Sequence, residues 1–171
     1  MVLRSDTSFI VGVRSLLQKK VDEIPVELTG TRSDIEIPFS RIIESESITV
    51  RGILNLAASG VMFNGNIKSS WVGTCRRCLE MAKGIINVQA REIYIENPDP
   101  ESEYPLSGDQ VDLGLAVHDL LLLELPLAPV CTDSCKGLCP TCGANLNETS
   151  CNCMEPKDLR WSALDILRDE I

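Results

Sequence analysis

Residues 48–78 read ITVRGILNLAASGVMFNGNIKSSWVGTCRRC, and this stretch decides the fold. From Ile48 the apolar positions alternate through Val50 to a group at Ile53, Leu54 and Leu56. After Ala58, Ser59 and Gly60 they alternate again through Val61, Phe63, Gly65, Ile67, Ser69 and Trp71. A period of two sends one side of an extended chain into a core and the other into water, and Ser-Gly between two such runs signals a turn. The stretch is therefore a β-hairpin with long arms. Cys75 and Cys78 fall in the turn after its second arm, and a third strand is expected over residues 85–95.

Working outward, shorter strands are expected near residues 26–28 and 34–37. Residues 97–108, with Pro98, Pro100 and Pro105, read as an irregular acidic loop. Asp112 stands where a helix cap belongs, and the Leu-rich run behind it predicts a helix over 112–125 that Pro126 stops. At the far end Trp161, Leu164, Leu167 and Ile171 recur at helical spacing, a stripe that suits core packing or docking rather than a cofactor. The expected class is α+β: an antiparallel β-rich domain with a few helices over 1–130, then a cysteine-rich, zinc-ribbon-like segment and C-terminal amphipathic helix over 131–171.

A chain of 171 residues, 44% hydrophobic and 24% charged, can bury a real core and is neither disordered nor a large multidomain machine. Sixteen Lys and Arg against 25 Asp and Glu leave a net charge of −9, which excludes a general nucleic-acid coat, since binding of that kind needs surplus cations to displace phosphate counterions. The distribution says more than the sum. Residues 61–91 hold five basic side chains, Lys68, Arg76, Arg77, Lys83 and Arg91, against one acid, whereas residues 92–124 hold nine acids and no base. The five cations form a candidate RNA or partner surface, and the acidic run reads as a solvated loop or, alternatively, as the other pole of a surface that orients the protein on a ribonucleoprotein. No targeting or membrane-spanning segment is evident, so the expected setting is the cytoplasm.

Eight cysteines in a reducing compartment point to metal rather than disulfides. They are Cys75 and Cys78, then Cys131, Cys135, Cys139, Cys142, Cys151 and Cys153. Two C-x-x-C pairs stand out, and in the second Gly143 follows as the residue that takes the positive φ of a tight metal-binding turn. The preferred pairing puts Cys75, Cys78, Cys131 and Cys135 round one structural zinc and Cys139, Cys142, Cys151 and Cys153 round another. A rival pairing joins the two C-x-x-C pairs and leaves four cysteines spare, and buried thiols without metal are the plain alternative. A catalytic zinc is not expected. The one histidine, His118, lies in the Leu-rich run and lacks the His-x-Glu of a zinc deaminase, and no phosphate-binding Gly-rich loop or Ser/His/Asp set is present.

Three motifs, in order, resemble the YceD family, also called the DUF177 domain: VGTCRRCLE at 72–80, LELPLAPV at 123–130 and CTDSCKGLCPTCGANLN at 131–147. These are bacterial and plastid proteins named for accumulation of large-subunit ribosomal RNA. The resemblance implies a cytosolic, non-enzymatic ribosome biogenesis factor that supports 23S rRNA accumulation and large-subunit assembly, with precursor rRNA or ribosomal proteins as partners and neither a membrane nor a small-molecule substrate. The alternative is a protein-binding adaptor that recruits or restrains an RNA-processing enzyme or ribosomal protein. Some family members lack the second cysteine set, which makes the first set the common one.

Overall fold

The long hairpin is present, and the rest of the sheet is built on it. A computed structural model describes residues 7–99, 103–154 and 160. In chain order its elements are a 3-10 turn at Thr7–Phe9, β1 (Ile10–Gly12), α1 (Arg14–Leu17), β2 (Glu23–Gly30), β3 (Glu36–Ile37), β4 (Ser40–Ile42), β5 (Ile48–Leu56), β6 (Val61–Thr74), β7 (Met81–Ile95), β8 (Tyr104–Ser107), β9 (Gln110–Asp112) and α2 (Gly114–Glu124).

Strands β5 and β6 pair antiparallel with Leu56 opposite Val61, and β6 pairs with β7 along its whole length, from Val61 opposite Tyr94 to Thr74 opposite Met81. Strand β6 is shared along its other edge, with β5 on its first half and β4 on its last residues. Beyond β7 come β8, β9 and β1, so nine strands form one sheet. All pairings are antiparallel except β7 with β8. The two ends of the sheet curl toward each other: Phe9, just before β1, lies against Gly30 at the end of β2, where an added Cβ would meet its ring at 2.7 Å.

Alternation along the strands gives the sheet an inner and an outer face. Val50, Leu54, Phe63, Ile67, Ile86, Ala90 and Tyr94 point inward and are buried with Phe9, Val13, Leu16, Val117 and Leu121 in one cluster. Helix α2 is apolar on nearly every side and lies on this inner face, with Val117 and Leu121 fully buried. Its start is set by Asp112, whose Oδ1 accepts the Gly114 N–H at 2.8 Å. It ends where Leu125, with ψ 130, turns extended before Pro126, as a residue preceding proline is disposed to do.

Several expectations need correction. The strand expected over 85–95 starts at Met81. The expected loop at 97–108 contains β8, and the helix expected from residue 112 begins at Gly114. Strand β8 was hidden by Pro105, which lacks a ladder N–H but sits at the register position where pairing with β7 stops, opposite Ile95. The acidic run is not one solvated loop. Asp109 pairs with Arg14 at 2.7 Å, Asp119 accepts from Tyr104 Oη at 3.1 Å, and Glu92 is half-buried on the inner face, where burial raises its pKa. The stripe at Trp161, Leu164, Leu167 and Ile171 lies outside the described residues.

Candidate metal centres

The two C-x-x-C turns are built alike, although one follows a β-strand and the other lies in an irregular segment. In the first, Leu79 N–H donates to Cys75 O at 3.0 Å and Cys75 N–H to Glu80 O at 2.8 Å. In the second, Gly143 N–H donates to Cys139 O at 2.9 Å and Cys139 N–H to Ala144 O at 2.8 Å. Each turn needs a left-handed residue directly after its second cysteine. Gly143 takes φ 72 there and Leu79 takes φ 62. A leucine in that region is uncommon, and the glycine in the second motif is the signal that could have revealed it.

The first turn closes the β6–β7 hairpin and faces the segment after α2. Cys75, Cys78, Cys131 and Cys135 bring their sulfurs within 4.8 Å of one another, with Cys75 to Cys135 at 3.9 Å and Cys78 to Cys131 at 3.5 Å. The segments are fastened by the Arg76 N–H on Pro129 O at 2.9 Å, and by the Arg77 guanidinium, which donates to Asp133 O and Cys135 O at 3.2 and 3.0 Å. Cys75, Cys78 and Cys135 are buried in a small apolar cluster of their own with Ala82, and Trp71, Val130 and Leu138 pack against it.

Cys139, Cys142, Cys151 and Cys153 form the second group, again with sulfurs within 4.8 Å. Here Cys142 and Cys153 are exposed. The two C-x-x-C pairs therefore belong to different groups, and all eight cysteines are free of disulfides. His118 belongs to neither; its Nδ1 lies 2.9 Å from Asp119 Oδ1.

Electrostatics within each group favour some thiolates and resist others. The pKa is lowered at Cys75, at Cys139 and at Cys135, where burial is outweighed by the Asn147 amide and the Gly137 N–H, whereas it is raised at Cys78, Cys131, Cys151 and Cys153. The N–H groups of Cys78 and Arg77 aim at Cys75 and, against burial, bring its thiol down to about 6. At Cys78 the Glu80 N–H lowers the pKa, but burial and three neighbouring thiols outweigh it and push the value up to about 12. In the second group the Cys142 and Thr141 N–H groups bring Cys139 down to about 6, while Cys142, burial and Cys139 push Cys153 up to about 12. Four sulfurs this close take up four negative charges only around a cation, which deprotonates its thiol ligands outright. Either group could hold one metal ion.

A family model described as large ribosomal RNA subunit accumulation protein YceD matches residues 63–168. The chain belongs to the YceD family. Among its relatives, an uncharacterized protein of Mycobacterium tuberculosis is 34% identical over 115 residues, covering 63% of this chain and 55% of its own length. The chain thus spans about half the length of the mycobacterial relatives it matches. Chloroplastic proteins named large ribosomal RNA subunit accumulation protein YCED homolog 1 match over shorter stretches. That of Arabidopsis thaliana is 36% identical over 69 residues, 40% of this chain and 22% of its own, and that of Zea mays 41% over 63 residues, 36% and 21%. No solved structure matches. The YceD match takes in β6 from Phe63 onward, β7, α2 and all eight cysteines.

The five basic residues of this YceD chain divide into two kinds. Lys68, Lys83 and Arg91 are exposed and share the outer sheet face, because Lys68 is opposite Asn87 and both Lys83 and Arg91 are an even number of residues from it. Asn64, Asn66 and Gln89 share the same face. Arg76 and Arg77 sit instead in the first C-x-x-C turn, and Arg77 clamps the Cys135 loop. Among the described residues no helix is long and apolar enough to cross a membrane.

Proposed function

We propose that this chain is a non-enzymatic factor of large-subunit assembly that supports 23S rRNA accumulation in the cytoplasm, held in shape by two structural zinc ions. The observation that carries the reading is the closed donor set. Structural zinc is surrounded by four protein ligands, whereas catalytic zinc keeps a position open and favours His or carboxylate. Each group here offers four sulfurs, joined by no His or carboxylate among the described residues. A tetrahedron with metal–sulfur bonds of about 2.3 Å has edges of about 3.8 Å, and the 3.5 and 3.9 Å separations in the first group suit a single ion of that size. Cys75, Cys78, Cys131 and Cys135 would hold one zinc and Cys139, Cys142, Cys151 and Cys153 the other.

Precursor rRNA is the partner in this reading, bound on the outer face through Lys68, Lys83 and Arg91 with Arg76 at its margin. A net-acidic protein touches RNA only where cations gather, and polar side chains between them leave room for bases and sugars. The test replaces Lys68, Lys83 and Arg91 with Glu and follows sedimentation of the tagged protein with large-subunit precursors and the level of 23S rRNA. Loss of both is expected; retained co-sedimentation overturns the RNA assignment. Arg77 is left untouched, because its removal would loosen the Cys135 loop. A second reading, a protein-binding adaptor, draws on the exposed Phe39, Leu79, Met81 and Leu127 around the first turn. Crosslinking in cells separates the two: RNA adducts on the outer face support the first, protein adducts alone the second.

A further inference from the structure

The two cysteine groups are bonded to each other through residues 137–147, and this connection has a direction. Leu138 N–H donates to Arg77 O, inside the first C-x-x-C turn, at 3.0 Å. The same residue forms an antiparallel bridge with Asn145, inside the loop of the second group, and Leu146 N–H donates to Gly137 O at 2.9 Å. From that loop Asn147 reaches back: its Nδ2 donates to Cys135 Sγ, a member of the first group, at 3.4 Å, and its Oδ1 accepts the Lys136 N–H at 2.8 Å. Asn145 Oδ1 holds the Asn147 amide in place by accepting from both its backbone N–H and its Nδ2, at 3.1 and 2.9 Å. Asn147 is thus a ligand-orienting partner for the first group, carried on a loop that the second group organises.

We propose that the two groups load metal as a coupled pair, with Asn147 the positioning residue that joins them. This rests on the reading of both groups as metal sites. An ion in the second group fixes the loop that carries Asn147, and the fixed amide then donates to the Cys135 thiolate and orients it toward the first ion. Hydrogen bonds to ligating atoms of this kind are worth about 10- to 100-fold in metal affinity. The coupling is reciprocal: an ion in the first group must favour the second by the same factor.

The test titrates the reduced, metal-free full chain with Co2+, counting ions per chain by native mass spectrometry while the visible bands report tetrahedral sulfur coordination. Coupling predicts that the one-ion species stays well below its statistical share at half loading. A second titration uses the C142S/C153S variant, which disables only the second group; Co2+ affinity at the first group should fall about tenfold or more. Asn147 is exposed, so N147A keeps the fold; it should reproduce most of that fall, shift the sulfur-to-cobalt charge-transfer band of the first site, and add nothing further in the C142S/C153S background. Independent loading, or an unchanged first site in C142S/C153S, overturns the coupling, and additive effects of N147A and C142S/C153S overturn the role of Asn147. Failure of the chain to bind any Co2+ would instead sink the metal reading on which the proposal stands.

Discussion

Leu79 combines a left-handed backbone with a side chain that is 65% exposed, so neither local geometry nor core burial accounts for a leucine there. A left-handed L-residue costs about 1–2 kcal/mol, which glycine avoids at the expense of about 0.5–1 kcal/mol of unfolded-chain entropy. Leu79→Gly should therefore leave urea stability of the metal-loaded protein unchanged or raise it by up to about 1 kcal/mol. Leu79→Val, with its branched Cβ, should lower it by about 1 kcal/mol or more. A second residue-scale case is Asp34, whose carboxylate is held below the usual range first by hydrogen bonding to Arg32, through contacts of 2.6 and 2.8 Å. A lowered folded pKa stabilises above the unfolded value and fades as pH falls through the folded one. Asp34→Asn should thus cost about 1 kcal/mol or less at neutral pH, allowing for a carboxylate 36% exposed, and the difference from the parent should fade in urea titrations as pH falls through the lowered folded-state pKa. At this scale the cysteines were legible because spacing alone brings C-x-x-C sulfurs together. Asn147 and Arg77 were not, because their roles depend on segments that approach only in the folded chain.

Gly52 and Gly65 face each other across β5 and β6 on the inner side, where Phe63 lies over both: a Cβ on Gly65 would stand 2.4 Å from Arg51 O and 2.5 Å from the Phe63 ring. Backbone cannot retreat from such a clash without parting the strands. Gly65→Ala should accordingly destabilise by about 1–3 kcal/mol, read as a fall in the thermal midpoint, and a Gly65→Ala protein as stable as its parent would show that the strands can part cheaply. The hairpin that holds these glycines was readable because its partners are neighbours in sequence and one face is buried throughout. Strands β1, β4 and β9 have three residues each, too few for a periodic signal, and β1 finds its partner β9 about a hundred residues away. Periodicity reports local chain and burial; it carries no information on which distant edges meet.

At the scale of the molecule, the main core and the cysteine cluster are distinct sets of buried side chains, with Trp71 packed against both. Metal removal should then unravel one and spare the other. Chelation of the loaded protein is expected to abolish hydrogen-exchange protection at residues 75–80 and 131–149, while amides of β5 and the first half of β6 stay protected within a few-fold; global loss of protection would mean that the core depends on metal. The curled sheet was only half legible, since alternation foretold its inner face but not its curl, which comes from the long-range joining of β1, β9 and β8 to β7.

The 60 residues that separate Cys75 from Cys135 also set a clock. At about 5–20 residues per second of synthesis, the first pair of thiols emerges roughly 3–12 s before the second pair exists to complete its shell. During that interval the β5–β6–β7 meander can already form, so the nascent chain offers a preshaped two-sulfur hook on the end of a finished hairpin. That hook becomes a four-sulfur set only when Cys131 and Cys135 arrive.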